Sequence, residues 1–335
     1  TTVTLSVLKG QVILREYRQY DEDRLTERPA GDFTIGIKIL PDVARPPSAL
    51  ALRGELELIH ELDLHALSVT IVPDVADAAV LDSIARVLAP LRRADSTTVI
   101  VTLGYRGKLF PSRRDAFDRA ERMRAIDQVV RRIRPDILIP AEDPYGAGQR
   151  AFGALPIAEW QSYITEASAL AKRLRPRTRI GISASSFGSN DSTLYAWAAA
   201  PGSPVDLPGF SFIPGSRGAQ DLDAMMRAAD RWMSADSSRK NVWVYNASGL
   251  PLAHGERSQE RALWGVLAWA TAHPRIKGMV VYSASDYGGA TGLQAPDGRR
   301  RPAATAIARA LRGLRESVGT RATPSDTLTR VEDEP

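Results

Sequence analysis

The segment LSVTIVPDVADAAVLDSIARVLAPLRR, residues 67–93, holds one complete structural unit. LSVTIV is a short run rich in β-branched residues, the composition of a strand buried on both faces. Pro73-Asp74 ends the run, and residues 78–93 then repeat apolar side chains at helical spacing. A strand followed by a helix long enough to carry the chain back along it is half of a parallel crossover.

Working outward, the same unit recurs along the chain. Upstream, FTIGIKIL (33–40) precedes a helical pattern over 48–62. Downstream, TTVIVTL (97–103) is followed by an irregular stretch over 104–114 and an arginine-rich helix. ILIP (137–140) runs into Glu142 and Asp143, and 156–174 reads as a helix with proline at its first turn. RIGIS (179–183), GFSFI (209–213), VWVY (242–245) and GMVVY (278–282) supply four more strands, with helices expected over 193–200, 219–235, 259–272 and 303–315. Eight strand-then-helix units predict an α/β fold, the (β/α)8 TIM barrel. A doubly wound open sheet would usually have fewer units and a glycine-rich phosphate turn after its first strand, and IKILPDV has none.

The barrel is expected to occupy residues 32–318. Before it, TTVTLSVLKGQVIL alternates apolar and polar residues around a Lys-Gly break, the pattern of a hairpin, and a charged connection follows. Residues 1–31 are therefore read as an N-terminal extension that caps the barrel or grips a protein partner. Residues 319–335 form a polar tail, extended or disordered, and a second candidate for partner contact. The chain opens on Thr1, which suggests a removed leader and favours a periplasmic or extracellular location over a cytoplasmic one.

Composition excludes several classes of function. Forty-four basic residues against 39 acidic give a net charge of +5, but the richest basic stretch, 113–134, interleaves its arginines with Asp115, Asp118, Glu121 and Asp127. That is a solvated helix face, not a nucleic-acid stripe. With no cysteine there are neither disulfides nor thiolate metal sites, and the four histidines show no metal-ligand spacing. No cofactor is expected. No segment has the apolar length of a membrane span, leaving peripheral or leader-mediated attachment as the routes to a membrane. A serine-nucleophile elbow of the G-x-S-x-G type is absent.

A barrel of this kind places its chemistry at the C-terminal ends of the strands. Those ends carry Lys38, Asp42, Asp74, Tyr105, Arg106, Glu142, Asp143, Tyr145, Ser185, Tyr245, Asn246, Tyr282, Asp286 and Tyr287. Aromatic rings that stack on sugar faces, beside carboxylates and amides that bond hydroxyls, suit an oligosaccharide or polysaccharide. Candidate ligand contacts are Asp143, Tyr145, Tyr245, Asn246, Tyr282 and Tyr287. Glu142 fits a catalytic acid, and equally a turn cap or a partner for an arginine such as Arg106.

NVWVYNASGLPLAHGERSQERALWGVLAWA (241–270) and IKGMVVYSASDYGGATGLQAPDGRRRPA (276–303) resemble the last two units of barrel glycoside hydrolases of the large retaining clan. Gly292, Leu293, Pro296, Asp297, Gly298, Pro302 and Ala303 match that family's segment after strand eight. The resemblance implies a general acid at the end of strand four, where Ala141-Glu142-Asp143-Pro144 keeps the glutamate but not the preceding asparagine. It implies a nucleophilic glutamate at the end of strand seven, where this chain has Asn246. A retaining glycosidase needs two carboxyls about 5 Å apart, and an amide cannot form the glycosyl ester. The expectation is a catalytically degenerate, carbohydrate-binding or scaffold subunit of a larger assembly. The alternative is an active glycoside hydrolase with Glu142 as general acid and Asp286 or Asp74, or else Asp42, activating water from across the mouth. A further alternative pairs Glu142 with Asp143, resembling the adjacent acids of substrate-assisted hexosaminidases.

Overall fold

The computed structural model describes residues 25–29, 31–39, 49–92, 97–105, 116–286 and 291–319. Eight parallel strands close into a barrel in sequence order, with β1 pairing both β2 and β8. They are β1 (Thr34–Lys38), β2 (Ala66–Ile71), β3 (Thr98–Leu103), β4 (Ile137–Ile139), β5 (Arg179–Ala184), β6 (Leu207–Phe212), β7 (Val242–Ala247) and β8 (Ile276–Val281). The long outer helices are α1 (Ala49–Leu62), α2 (Ala78–Leu88), α3 (Arg119–Arg132), α4 (Ile157–Leu174), α5 (Ser189–Ala199), α6 (Ala219–Ala235), α7 (Glu256–Ala272) and α8 (Pro302–Gly319). The (β/α)8 TIM barrel expected from the sequence is the observed fold.

The period of two along each strand sorts side chains between two cores. Ile35, Ile37, Leu67, Val69, Val99, Val101, Leu138, Phe210 and Phe212 face outward and pack with the helices. The inner face has two characters. Its lower part is apolar, with Ala66, Ile100, Ile137, Ile139, Leu207, Trp243, Tyr245 and Val280 in one cluster. Trp243 and Tyr245 fit because glycine lies opposite: a Cβ on Gly209 or Gly181 would come within 2.6 Å or 2.5 Å of Tyr245, and one on Gly278 within 2.5 Å of Trp243. Its upper part, one step along the same faces, is polar, carrying Lys38, Thr70, Thr102, Ser183, Ser211 and Asn246, all buried.

At the opposite end Arg28 anchors the short stretch that enters β1. Its guanidinium donates to the carbonyls of Thr271, His273, Pro274 and Ile276 at 3.0–3.1 Å and pairs with Asp32. The expected hairpin over 1–14, and the tail from 320 onward, lie outside the described residues. Among the described residues no helix is long and apolar enough to cross a membrane.

Candidate functional site

β4 is short, ending at Ile139, and the chain then bends. Had the strand continued, Glu142 and Asp143 would point to opposite faces. Instead Asp143 adopts the left-handed conformation (φ 39°, ψ 70°) and its carbonyl accepts from the amides of Gly146 and Gly148, opening a single π-helical turn over Pro144–Gly148. Both carboxyls are consequently buried, each lying in the other's electrostatic field. Gly146 lets this turn pack closely on β5, since a Cβ here would stand 2.0 Å from Ser185 Oγ and would displace that hydroxyl.

Five other strands supply the partners. Lys38, at the end of β1 and fully buried, puts Nζ 3.6 Å from Glu142 Oε1 and over the Tyr282 ring at 5.5 Å from its centroid. Ser183 of β5 and Ser211 of β6 both donate to Asp143 Oδ1, Ser211 at 2.9 Å. Asn246 Nδ2 of β7 donates to Ser211 Oγ at 2.9 Å. The buried Tyr105, just past β3, completes the ring of groups facing the acid pair.

Asn246 reaches this cluster through a bulge. Val244 pairs with Phe210, but Ser211 pairs with Asn246, so β7 holds one extra residue, Tyr245. A bulge of this kind re-aims the residues around it. Tyr245 and Asn246 therefore both project into the barrel, Tyr245 downward with its hydroxyl donating to Leu207 O at 2.8 Å and Asn246 upward.

Burial pushes the Asp143 carboxyl up to about 6, and the neighbouring Glu142 adds to the shift, while the two serine hydroxyls and Lys38 oppose it. Tyr105 is held well above the usual phenol range, again chiefly by burial.

The remaining sequence candidates are placed elsewhere. Asp286 is locked in a two-pronged pair with Arg301 at 2.6 and 2.7 Å and also accepts from the Gly292 amide. Asp74 sits in a 3-10 turn after β2, on a flanking cleft of about 280 Å³ with Asp118, Glu121 and Arg122. Tyr145 is buried with its hydroxyl on Leu155 O. Tyr245, expected as a ligand contact, packs inside the barrel below the mouth. Tyr287, Asp42 and Arg106 lie outside the described residues. Sequence reasoning overlooked Ser183 and Ser211 and underused Lys38; each is a polar residue on the inward parity of an otherwise apolar buried strand. Among the described residues no cluster of histidines and carboxylates could hold a metal ion.

No family model and no curated protein matches this chain. Solved structures do match in fold. A GH5_18 protein from Bifidobacterium longum aligns with 85% of this chain and 80% of its own at 11% identity and a TM-score of 0.67. A GH5_18 variant from Streptomyces cattleya, solved with Manb1-4GlcNAc, aligns with 89% of this chain and 82% of its own, at 15% identity and a TM-score of 0.64. An uncultured Clostridium sp. β-glucuronidase aligns with 87% of this chain at 11% identity and a TM-score of 0.57, and there the chain spans only 53% of the relative's length. The likeness is one of fold, the (β/α)8 barrel that these structures share with this chain.

Proposed function

We propose that this protein binds carbohydrate at the barrel mouth without hydrolysing it, as an extracytoplasmic binding or scaffold subunit whose partner contacts involve residues 1–31 and 319–335. The observation that carries the reading is the end of β7, where Asn246 donates its amide to Ser211 inside the acid cluster. A double displacement requires an ionised carboxylate there, and a neutral amide offers neither the nucleophile nor the negative charge that stabilises an oxocarbenium-like transition state. Three of the acids near the mouth are otherwise engaged: Glu142 faces Lys38, Asp143 accepts two hydroxyls, and Asp286 is held by Arg301; Asp74 stands apart on the flanking cleft. The side chains that line the upper inner face, with Tyr282 beside Lys38, are of the kinds that bond sugar hydroxyls and stack on ring faces.

The test uses the full chain on a panel of aryl glycosides and polysaccharides, alongside calorimetric titration with oligosaccharides. The expected result is saccharide binding without turnover. Turnover that disappears in Glu142→Gln would instead establish an active hydrolase with Glu142 as its acid.

A further inference from the structure

The outer helices run back against the parallel strands, so α3, α4 and α8 all finish at the end of the barrel opposite the acid cluster. There, between the last turns of α3 and α4, lies a groove of about 440 Å³ lined by Val130, Leu174, Arg131, Arg134 and Arg175. Val130 is buried and Leu174 half-buried, so the groove has an aliphatic floor between cationic walls.

Cations outnumber acids around it. Arg131 pairs with Asp127 at 3.0 Å and Arg175 with Asp136 at 3.1 Å. Arg134, Arg173, Arg177 and Arg179 are exposed at the same end, and none of the four forms an ion pair with a described residue. The negative end of α3 does not neutralise them, because other arginines already cover its carbonyls. Arg92 donates to Ile133 O and Arg134 O at 2.8 Å each, and Arg175 donates to Pro135 O at 2.8 Å. Burial pulls the Arg92 guanidinium down; Asp136 opposes that shift, and Arg175 and Arg134 add to it, so the positive charges here crowd one another. An occupant that suits the groove brings several negative charges and an aliphatic side chain.

The chain itself holds such a segment. Residues 331–335 read VEDEP, with Val331 followed at once by Glu332, Asp333 and Glu334. The last described helix, α8, ends at Gly319 on the same end of the barrel as the groove. From residue 320 to residue 331 the chain reaches about 40 Å when extended. A compact chain of roughly 300 residues has a radius of gyration of about 19 Å, so this reach crosses the end of the barrel.

We propose that the acidic segment 331–335 docks in the α3–α4 groove of its own barrel, with Val331 on the Val130 and Leu174 floor and the three acids among Arg134, Arg173 and Arg177. This does not depend on the carbohydrate reading. Exposed ion pairs are individually weak, but the tether holds the segment at an effective concentration on the order of millimolar, where weak pairs suffice. A lipid surface is too flat to enter a groove between two helices, and a nucleic-acid backbone brings no aliphatic side chain for its floor. Partner contact through the tail then competes with this seat.

The experiment is photo-crosslinking of the full chain carrying Val331→p-benzoylphenylalanine, with the joined peptides mapped by mass spectrometry. The expected product is a monomer linked from residue 331 to the 130–134 or 174–175 stretch. Its yield is expected to fall at least about fivefold in Arg134→Glu/Arg173→Glu, the scale of two exposed ion pairs, and to fall also in about 0.5 M sodium chloride. Glu332→Arg/Glu334→Arg leaves the barrel untouched and gives the same fall, which decides the matter should the arginine variant fail to fold. In the folded quadruple variant the yield returns. A product of dimer mass puts the tail on a second copy and overturns the own-chain seat. Crosslinks spread over other surfaces, or a yield indifferent to both charge reversals, overturn the groove. Cosedimentation of the wild-type chain, but not the arginine variant, with phosphatidylcholine–phosphatidylserine vesicles in the absence of the intrachain product makes this face a lipid surface and overturns the proposal.

Discussion

Asn246 illustrates how one inserted residue decides what a strand end presents. By strict alternation from the inward-facing Trp243, Tyr245 would point in and Asn246 out; the bulge at Tyr245 brings both inside. The residue now at the mouth is an amide held by Ser211, and replacing it with a carboxylate tests what the site tolerates. Asn246→Asp is expected to destabilise the fold at pH 7 by about 3 kcal/mol or more, because it adds a buried anion to Glu142 and Asp143 with no new cation. The sign with pH follows from the same cause. The new carboxyl titrates higher in the folded chain than in the unfolded one, so folding takes up a proton and stability is regained as pH falls. Denaturant melts of both proteins at pH 5 and pH 7 check this, and a variant as stable as the parent at pH 7 would show that the cluster has room for a third acid. The bulge was not legible in VWVYNASG, since nothing in that string distinguishes a bulged strand from a regular one. Glu142 was legible as a mouth residue; its pairing with Lys38 was not, because it depends on strands that are far apart in sequence.

At the level of elements, the strands were readable because parallel barrel strands are buried on both faces and appear as unbroken β-branched runs. The termini of the helices were less so. The helix expected over 193–200 begins earlier, at Ser189, after a loop in which Asp191 Oδ2 accepts from the amides of Ser185, Ser186 and Phe187. Serine, asparagine and aspartate at 189–192 are weak helix formers that locally favour turns, so the sequence pattern understates a helix whose first turn serves the preceding loop. The segment after β8 behaves similarly. Asp286 reads as an acid at a strand end, yet it ties the returning chain to Arg301 and to the Gly292 amide. Asp286→Asn keeps an acceptor for Gly292 and removes the charge facing Arg301, a largely buried pair. It is expected to cost about 3 kcal/mol of stability and to leave saccharide affinity unchanged. A folded variant that lost binding while keeping its melting temperature would move Asp286 from the latch to the ligand site.

At the scale of the whole barrel, its two ends differ in character. The lower inner face is closed by Trp243 and Tyr245 against glycines, the upper face is left polar, and the charged connection into β1 is fastened at the bottom by Arg28. Sequence charge alone suggested a charged connection leading into the barrel there. It could not reveal that the α7–β8 turn leaves four carbonyls, those of Thr271, His273, Pro274 and Ile276, converging on one guanidinium. Arginine suits this position because its planar fork offers five donors at once, which lysine does not. Arg28→Lys should therefore recover only part of what Arg28→Met loses, and the methionine variant is expected to be less stable by about 3 kcal/mol, since it leaves Asp32 without its arginine and buries unsatisfied carbonyls. Limited proteolysis gives the second readout: cleavage between residues 25 and 32 should accelerate in Arg28→Met while the barrel remains intact. Because this anchor stands at the end of the barrel opposite the acid cluster, saccharide affinity should not change in the folded variant. A matched loss of affinity would mean that the N-terminal connection and the mouth are coupled through the strands between them.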